Sequence, residues 1–374
     1  MHLHSNIITN LMEEPPTSKV NDNSEIIDIR QSTHFKGITF SKFKKTEVIK
    51  QFITNLTKGK IEPACYWCAE LICAGHFMEV WETIIHYISK HIHLGNPKIA
   101  GYIEKRYEIF RTIMLQGQYT YELQLRNHPT IRTLFAEITG VLANSNKRNS
   151  FEPIKINREE EFDVTQMTDN LIAPNMTYVE SIFKQGDPKE IFIAVNEFAY
   201  NISNDKRNML NACYWVEWII EFQAICKKRK NPCTCESRNY PVDAKCKHDL
   251  IWILWEIMFH YAEQKSKYCV QLLGSLFRLF CIKYTTASSK KRRYLLYFAV
   301  SLITENIPMN IELISNKPVI QIITNKINII YKQIKKNEES PNTEYLFANL
   351  ERENTFEQSM RKMEMVNSMD FLST

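Results

Sequence analysis

The residues best suited to chemistry cluster in one stretch in the second half of the chain. Between positions 226 and 248 the sequence carries thiols and an imidazole: Cys226, Cys233, Cys235, Cys246 and His248. These are the ligands that tetrahedral zinc prefers, and a loop without a core of its own gains stability from a bound metal. Cys-x-Cys is tighter than the usual Cys-x₂₋₄-Cys spacing, so free thiols fit the same residues. We therefore expect either a structural zinc site or unligated thiols here, and no other cofactor.

Carboxylates and histidines at helical spacing form a second candidate group. Helical di-iron proteins take one Glu from each of two helices and Glu-x-x-His from each of two others. The Glu–His spacing in this chain is i,i+4, which places the two side chains differently around the helix. Hydrogen bonds between helices, or plain exposure to solvent, account for these residues better than a metal. The group comprises Glu70, Glu82, His86, Glu217, Glu256 and His260.

Two shorter pairs carry less information. His91-x-His93 has no identifiable third ligand, and histidines near a helix end also interact favourably with the helix dipole. Cys65-x-x-Cys68 falls within a helical pattern and lacks the βαβ setting of a redox motif, which favours buried thiols. We assign no catalytic residue.

Two basic runs are candidates for binding nucleic acid. They are Lys227-Lys228-Arg229-Lys230 and Lys290-Lys291-Arg292-Arg293. Such runs attract phosphate backbones because binding releases condensed counterions. They also fit a nuclear-localisation patch or a solvated loop. A nucleic-acid site requires the two runs to share one surface.

An internal duplication indicates which elements position these residues. The tetrapeptide ACYW occurs at Ala64–Trp67 and again at Ala212–Trp215. Two further anchors flank it in the same order in both copies. Three ordered matches that include tryptophans are hard to obtain by chance, so we predict two homologous segments. The flanking anchors are Phe52-x-x-Asn55 with Phe198-x-x-Asn201, and Trp81-Glu82-x₃-His86-Tyr87 with Trp255-Glu256-x₃-His260-Tyr261.

Apolar residues around the anchors recur at helical spacing, which predicts a helical hairpin and two further helices in each copy. The chain has only 9 glycines, which disfavours sandwiches and barrels. We therefore predict an all-α fold of two homologous multi-helix repeats, packed pseudo-symmetrically, with a long loop inserted in the second repeat. The predicted divisions are a disordered or extended tail (1–40), repeat 1 (41–147), a linker (148–187), repeat 2 (188–335, insertion 226–248), and a C-terminal tail (336–374). This last tail is either a docking helix or a frayed end.

Composition narrows the class of protein further. Hydrophobic residues make up 44% of the chain and the net charge is +5, which permits an anionic partner without requiring one. No phosphate-binding glycine motif, hydrolase Gly-x-Ser-x-Gly or zincin His-Glu-x-x-His occurs. We expect no secretory signal and no membrane span, because no apolar run reaches about 18 residues. Ten cysteines without a secretory signal then favour a reducing, intracellular compartment.

The stretch CESRNYPVDAKCKHDLIWILWEI (235–257), which follows the second ACYW helix, resembles an uncharacterised protein family of nucleocytoplasmic large DNA viruses. The likeness covers roughly residues 40–335 and carries no catalytic motif. It implies a replication or assembly setting in the cytoplasm of an infected cell; a nuclear location also stays open.

Two function classes follow from these observations. The first is a non-enzymatic helical interaction or scaffold protein, such as a component of virion assembly or of a viral factory, whose partners are other proteins. The alternative is a replication or transcription factor that binds nucleic acid through the basic loops of the second repeat. The sequence does not predict whether the protein forms homo-oligomers.

Overall fold

The computed structural model describes residues 24–117, 119, 122–158, 162, 170–230, 233–339 and 355–368. Over these residues the chain is helical and contains no β-strand; an isolated bridge joins Ile38 and Lys44. The predicted all-α class is therefore confirmed. No helix in this part of the chain is both long and apolar enough to cross a membrane.

The helices form two groups in chain order, which we call the first and second helix groups. The first group contains α1 (Lys45–Thr57), α2 (Ile61–Cys73), α3 (Phe77–Tyr87), α4 (Ile99–Gln116) and α5 (Pro129–Asn144). The second group contains α6 (Phe192–Ile202), α7 (Met209–Lys228), α8 (Ile251–Lys265), α9 (Lys267–Cys281), α10 (Thr286–Lys291) and α11 (Arg293–Thr304). Two helices follow: α12 (Lys317–Lys335) and α13 (Thr355–Ser368).

The two ACYW segments lie within the first two turns of α2 and α7. Their tryptophans, Trp67 and Trp215, are 0% and 1% exposed. Buried indoles contribute large apolar areas to a core, so these segments fix the helices that carry them. In the first group α1 and α5 pack against α2, and in the second group α6 and α11 pack against α7.

A glycine turn sets the angle between α2 and α3. Gly75 has φ +79°, in the left-handed region that favours glycine. The amide of the next residue, His76, donates to the carbonyl of Leu71 at 2.9 Å and closes the end of the helix. A Cβ at Gly75 would lie 3.1 Å from the Leu123 side chain, so the site is also tight. The chain therefore reverses here and begins α3 at Phe77.

Helix α12 crosses back from the second group to the first. It packs against α5 and α2, although residues 188–335 were predicted to form one repeat. The close approach depends on Gly140 in α5, where a Cβ would lie 2.6 Å from the Ile320 side chain. Residues 24–40, which fall in the predicted disordered or extended tail, belong to the folded part, since Ile26, Phe35 and Phe40 are buried in the same core.

The two helix groups contact each other where α4 packs against α9. Arg292 forms a second link between them. The Arg292 side chain donates to the Phe280 carbonyl at 2.6 Å and forms an ion pair with Glu82 of α3. Only 3% of Arg292 is exposed, so this arginine of the second basic run faces the interior. It thereby links α3 of the first helix group to α9 of the second.

We predict that Arg292→Ala lowers the free energy of unfolding by about 1–3 kcal/mol, because it leaves the buried Phe280 carbonyl without its donor and removes the ion pair with the partly exposed Glu82. The matched control is Lys291→Ala, one residue earlier in the same run, where the side chain is exposed and a change of about 0.5 kcal/mol or less is expected. Urea unfolding at neutral pH measures both. Equal effects of the two substitutions would contradict the structural role of Arg292.

Candidate interaction site on helices 1 and 2

The first helix group carries a polar site where α1 and α2 face α13; we call it the α1–α2 site. Asn55 of α1 is 3% exposed, and its Nδ2 donates to the carbonyl of Gln51, one turn earlier, at 2.8 Å. Trp67 of α2 is fully buried beside it. A buried indole N–H and a buried amide both require partners. The site therefore presents donors that a third element must satisfy.

That element is α13, near the far end of the chain. The Asn367 Oδ1 accepts from Trp67 Nε1 at 2.9 Å and from Asn55 Nδ2 at 3.1 Å. Its Nδ2 donates to Gln51 Oε1 at 3.1 Å. The Lys60 Nζ donates to the Asn367 carbonyl at 3.4 Å. One asparagine thus joins α13 to both α1 and α2.

Apolar contacts accompany this polar network. Met363 and Val366 of α13 are 5% and 8% exposed, and α13 packs against α2. Met360 and Met365 lie on the solvent side, 43% and 56% exposed. Unbranched methionines adapt to irregular surfaces, so α13 has one docked face and one adaptable outer face. Met369 lies outside the described residues.

The second helix group contains the corresponding residues in the same local geometry. Asn201 Nδ2 donates to the Glu197 carbonyl at 2.8 Å, as Asn55 does to Gln51. Glu197 Oε1 accepts from the amide of Ala173, in the predicted linker, at 2.9 Å. Among the described residues, Asn201 Oδ1 and Glu197 Oε2 have no hydrogen-bond partner. Here the segment before α6 bonds the residue one turn before the anchor asparagine, as Asn367 of α13 bonds Gln51 in the first group.

The five predicted metal ligands divide between separate contacts. Cys235 Sγ donates to the Asp249 carbonyl at 3.2 Å, and His248 Nδ1 lies 2.9 Å from the Cys235 carbonyl. Cys246 is buried, whereas Cys226 and Cys233 are half-buried and neighbour each other. Among the described residues, no three His, Cys, Asp or Glu side chains are grouped to hold a metal ion. The zinc hypothesis therefore stays a prediction, with no structural feature in its favour.

An arginine anchors the cysteine loop instead. Arg238 binds the Asp187 carboxylate with two nitrogens, and its Nε lies 2.7 Å from Glu256 Oε2. The Arg238 and Asp187 side chains are 1% and 0% exposed. Burial by itself raises the pKa of Asp187, but hydrogen bonds from Arg238 and from backbone amides outweigh it, so the pKa lies below its usual value. The loop is thus tied to the segment before α6.

The first basic run ends α7 and is exposed. Lys227, Lys228, Arg229 and Lys230 are all exposed, and none forms an ion pair with another described residue. Lys227 and Lys228 belong to the last turn of α7, and Arg229 and Lys230 follow it, at the end where the helix dipole favours positive charge.

The second basic run is largely engaged with carboxylates. Lys290 Nζ lies 2.5 Å from Glu221 Oε1, and Arg293 Nε lies 3.4 Å from Glu217 Oε1. Arg292 points inward, as described above, and Lys291 is exposed. The structure therefore places the four residues of this run in four different environments.

The carboxylates of the proposed di-iron pattern each have their own partner. Glu70 accepts from Ser41 Oγ at 2.5 Å, and Glu217 accepts from Tyr297 at 2.8 Å. Burial raises the pKa of both carboxyls. Glu82 and Glu256 pair with arginines, as above, and Gln264 lies 2.9 Å from His260. The sequence interpretation was hydrogen bonds between the two helices of each hairpin, or exposure to solvent. Glu70 and Glu217 are instead buried, and their partners lie outside the hairpins: Ser41 before α1, and Tyr297 of α11.

The two histidines after α3 bind the chain that follows α5. A π-turn, Ile88–Ile92, ends α3, and His93 then has φ +31°, a strained value for a residue with a side chain. His93 Nε2 lies 3.0 Å from the Asn149 carbonyl, and His91 Nδ1 lies 2.6 Å from Ser150 Oγ. Burial lowers the pKa of both rings, that of His91 to about 4. They act as neutral hydrogen-bonding groups at neutral pH.

A cavity of about 710 Å³ opens beside His93, between residues 148–154, the start of α7, and α11. Cys213, the cysteine of the second ACYW, lies in its wall together with Tyr297 and Glu305. Burial and the nearby carboxylates of Glu217 and Glu305 raise the pKa of the Cys213 thiol well above its usual value. A thiol in that state is a poor nucleophile at neutral pH. Cys65 and Cys68 are buried in α2, and burial raises the pKa of Cys68 to about 12.

No protein-family model matches this chain, and no curated protein or solved structure matches it.

Sequence reasoning found two of the five residues of the α1–α2 site. The repeated anchors singled out Asn55 and Trp67 but gave neither of them a part in an interaction site. Gln51, Lys60 and Asn367 were missed, since each is an ordinary polar residue in its own segment. A usable signal was the asparagine that recurs upstream of ACYW in both copies. A polar side chain that is buried with a tryptophan requires a hydrogen-bond partner from another element.

The Asp187–Arg238 pair predicts acid-dependent stability. The pKa of Asp187 is lowered in the folded state. The contribution of the pair to the free energy of unfolding is therefore fully present above the unfolded pKa of about 3.9, and it is lost as the pH falls through the folded pKa. We expect Asp187→Asn to destabilise the protein by about 3 kcal/mol at pH 7, and the gap from the wild type to shrink below about pH 4. Urea unfolding at a series of pH values measures this gap.

The control for this series is Asp243→Asn, in the same loop, where the side chain is 70% exposed. It should cost about 0.5 kcal/mol or less at every pH. A pH-independent difference between Asp187→Asn and the wild type would refute the assignment of this acid dependence to Asp187.

Proposed function

We propose that this protein is a non-enzymatic helical interaction protein whose α1–α2 site receives a helix. The observation that carries the proposal is the three-way amide and indole network of Asn367 with Gln51, Asn55 and Trp67. Because a single side chain of α13 is hydrogen-bonded to two other helices, it fixes the position of α13 along them as well as the contact itself. An amphipathic helix laid into a groove between helices is a general mode of protein recognition.

The proposal includes two homologous repeats arranged pseudo-symmetrically. In its favour, α1, α2 and α5 contact one another as α6, α7 and α11 do. The matching hydrogen bonds of Asn55 and Asn201 add a second, independent correspondence. Each repeat would then carry a version of the same docking site, covered by α13 in one and by the segment before α6 in the other.

The setting that we propose, virion assembly or a viral factory, rests on the resemblance of residues 235–257 to the large DNA virus family. The helix-docking role is argued from the contacts of α13 and does not depend on that setting.

A peptide of residues 355–368 tests the proposed role. Its fluorescein-labelled form should bind the full chain weakly, since the attached α13 already occupies the site and competes as an intramolecular ligand. In a full chain carrying Asn367→Ala, the chain's own α13 binds the site more weakly and competes less with the peptide. We expect this chain to bind the peptide at least about tenfold more tightly, because each 1.4 kcal/mol lost from the binding of α13 raises the apparent affinity for the peptide tenfold. Fluorescence anisotropy measures both affinities.

The matched control is a peptide with Asn367→Ala, which should lose this binding. If the peptide binds neither chain, or binds both equally, the α1–α2 site is not a receptor for a helix and the proposal fails.

A further inference from the structure

The cavity of about 710 Å³ beside His93 has the size of a small-molecule site, since such pockets measure roughly 300–1,000 Å³. It reaches from the surface toward the core along the first turns of α7. Leu210 in its lining is 69% exposed, whereas Cys213, less than one turn further along, is 0% exposed. A molecule bound in it is therefore removed from water on the side of Cys213.

The wall formed by residues 148–154 is fixed by hydrogen bonds to two other elements. The amide of Phe151 donates to the carbonyl of Lys90 in the π-turn at 3.1 Å. The amide of Ile154 donates to the hydroxyl of Tyr297 in α11 at 3.2 Å. The protein itself thus determines the shape of this wall, as in the largely preformed sites that bind small molecules.

Aromatic rings and sulfur atoms contribute to the lining. The imidazole of His93 stacks on Phe151 with ring centroids 4.1 Å apart, and Phe151 meets Tyr297 edge to face at 5.9 Å. Met209 and Cys213 belong to the same lining, and sulfur packs favourably against aromatic rings. Because rings also pack well on rings, this lining favours a ligand with an aromatic group.

A strained residue borders the cavity. His93 has φ +31°, and residues in such conformations concentrate at ligand-binding and active sites, where the surrounding structure holds them in place. Its Nε2 lies 3.0 Å from the Asn149 carbonyl, which fixes the ring that stacks on Phe151. The strain is thus located at one wall of the cavity.

Two oppositely charged side chains of the lining have unused capacity for hydrogen bonds. Arg148 Nη1 lies 3.6 Å from Glu305 Oε2, and the two side chains are 46% and 41% exposed. Within the described part of the chain they form this ion pair and no hydrogen bond. Such half-exposed pairs contribute little to stability, so a ligand displaces them at small cost. The third charged residue of the lining, Glu152, is 80% exposed and lies 3.9 Å from Lys90.

We propose that this cavity binds a free aromatic α-amino acid. The ligand carboxylate pairs with the Arg148 guanidinium, whose N–H donors match a carboxylate in geometry. The ligand ammonium donates to the Glu305 carboxylate, and the ring packs against Phe151. A free amino acid carries both charges on one carbon atom and so satisfies both neighbouring side chains, whereas the end of a peptide brings one charge. This inference does not rest on the helix-docking role of α13.

Isothermal titration calorimetry of the full chain with L-phenylalanine and L-tryptophan tests the proposal. We expect a Kd of about 1 mM or below for at least one of them. Two analogues each lack one charge: 3-phenylpropionate has no ammonium, and phenethylamine has no carboxylate. Each should bind at least about tenfold more weakly than L-phenylalanine, because a charge-assisted hydrogen bond is lost. L-Alanine, with both charges and no ring, should give no heat at the same concentrations.

Substitutions at the two charged residues assign the head group. R148Q should bind L-phenylalanine no better than phenethylamine, because the carboxylate has lost its partner. E305Q should bind it no better than 3-phenylpropionate. The matched control is an exposed Arg–Glu pair of α4, Arg111 with Glu108, 3.3 Å apart and 59% and 55% exposed. R111Q and E108Q should leave every affinity unchanged, and far-UV circular dichroism confirms that each variant is folded.

Three results would overturn the proposal. The first is no binding of either aromatic amino acid by the wild type. The second is binding of both analogues as tightly as L-phenylalanine, which would show that the head group is not recognised. The third is the same affinity for L-phenylalanine in R148Q and E305Q as in R111Q and E108Q, which would place the binding outside this cavity.

Discussion

The complete burial of Trp67 imposes the constraint from which the interaction site follows. An indole N–H removed from water needs an acceptor, and an unmet buried donor costs about 1–3 kcal/mol. The acceptor here is Asn367, 300 residues away along the chain. Its amide also satisfies Asn55 and Gln51, so one residue near the C-terminal end joins the helices that carry two of the three repeated anchors. The first helix group is thereby complete only when α13 lies on it.

The second helix group meets a similar requirement differently. Glu197 has the sequence position in the second group that Gln51 has in the first, one turn before the anchor asparagine. Its Oε1 accepts a hydrogen bond from a backbone amide, whereas Gln51 Oε1 accepts one from a side-chain amide. In the first group the covering element is a separate helix joined through one asparagine, whereas in the second group it is the segment that leads into α6. This difference is why the proposed receptor role belongs to the α1–α2 site.

The all-α class, the helical setting of both ACYW segments and the absence of strands in the described part of the chain could be predicted from periodicity and glycine scarcity. Periodicity reports which face of a helix is apolar, but it does not say which distant helix covers that face. The return of α12 onto α5 was therefore missed, although Gly140 marks the contact.

The same limit applies to the environment of charged residues. Arg292 and Lys291 are neighbours in one basic run, yet one is 3% exposed and the other lies in solvent. Arg238 was overlooked beside the cysteines, although it anchors their loop through Asp187.

The most direct measurement of the central claim is a double-mutant cycle between Trp67→Phe and Asn367→Ala, by urea unfolding at neutral pH. The cycle cancels the packing lost with the indole and isolates the energy that couples the two side chains. We expect a coupling of about 1 kcal/mol, that of a buried hydrogen bond. A coupling near zero, with the two single substitutions strictly additive, would contradict the claim that Asn367 holds α13 on the α1–α2 site.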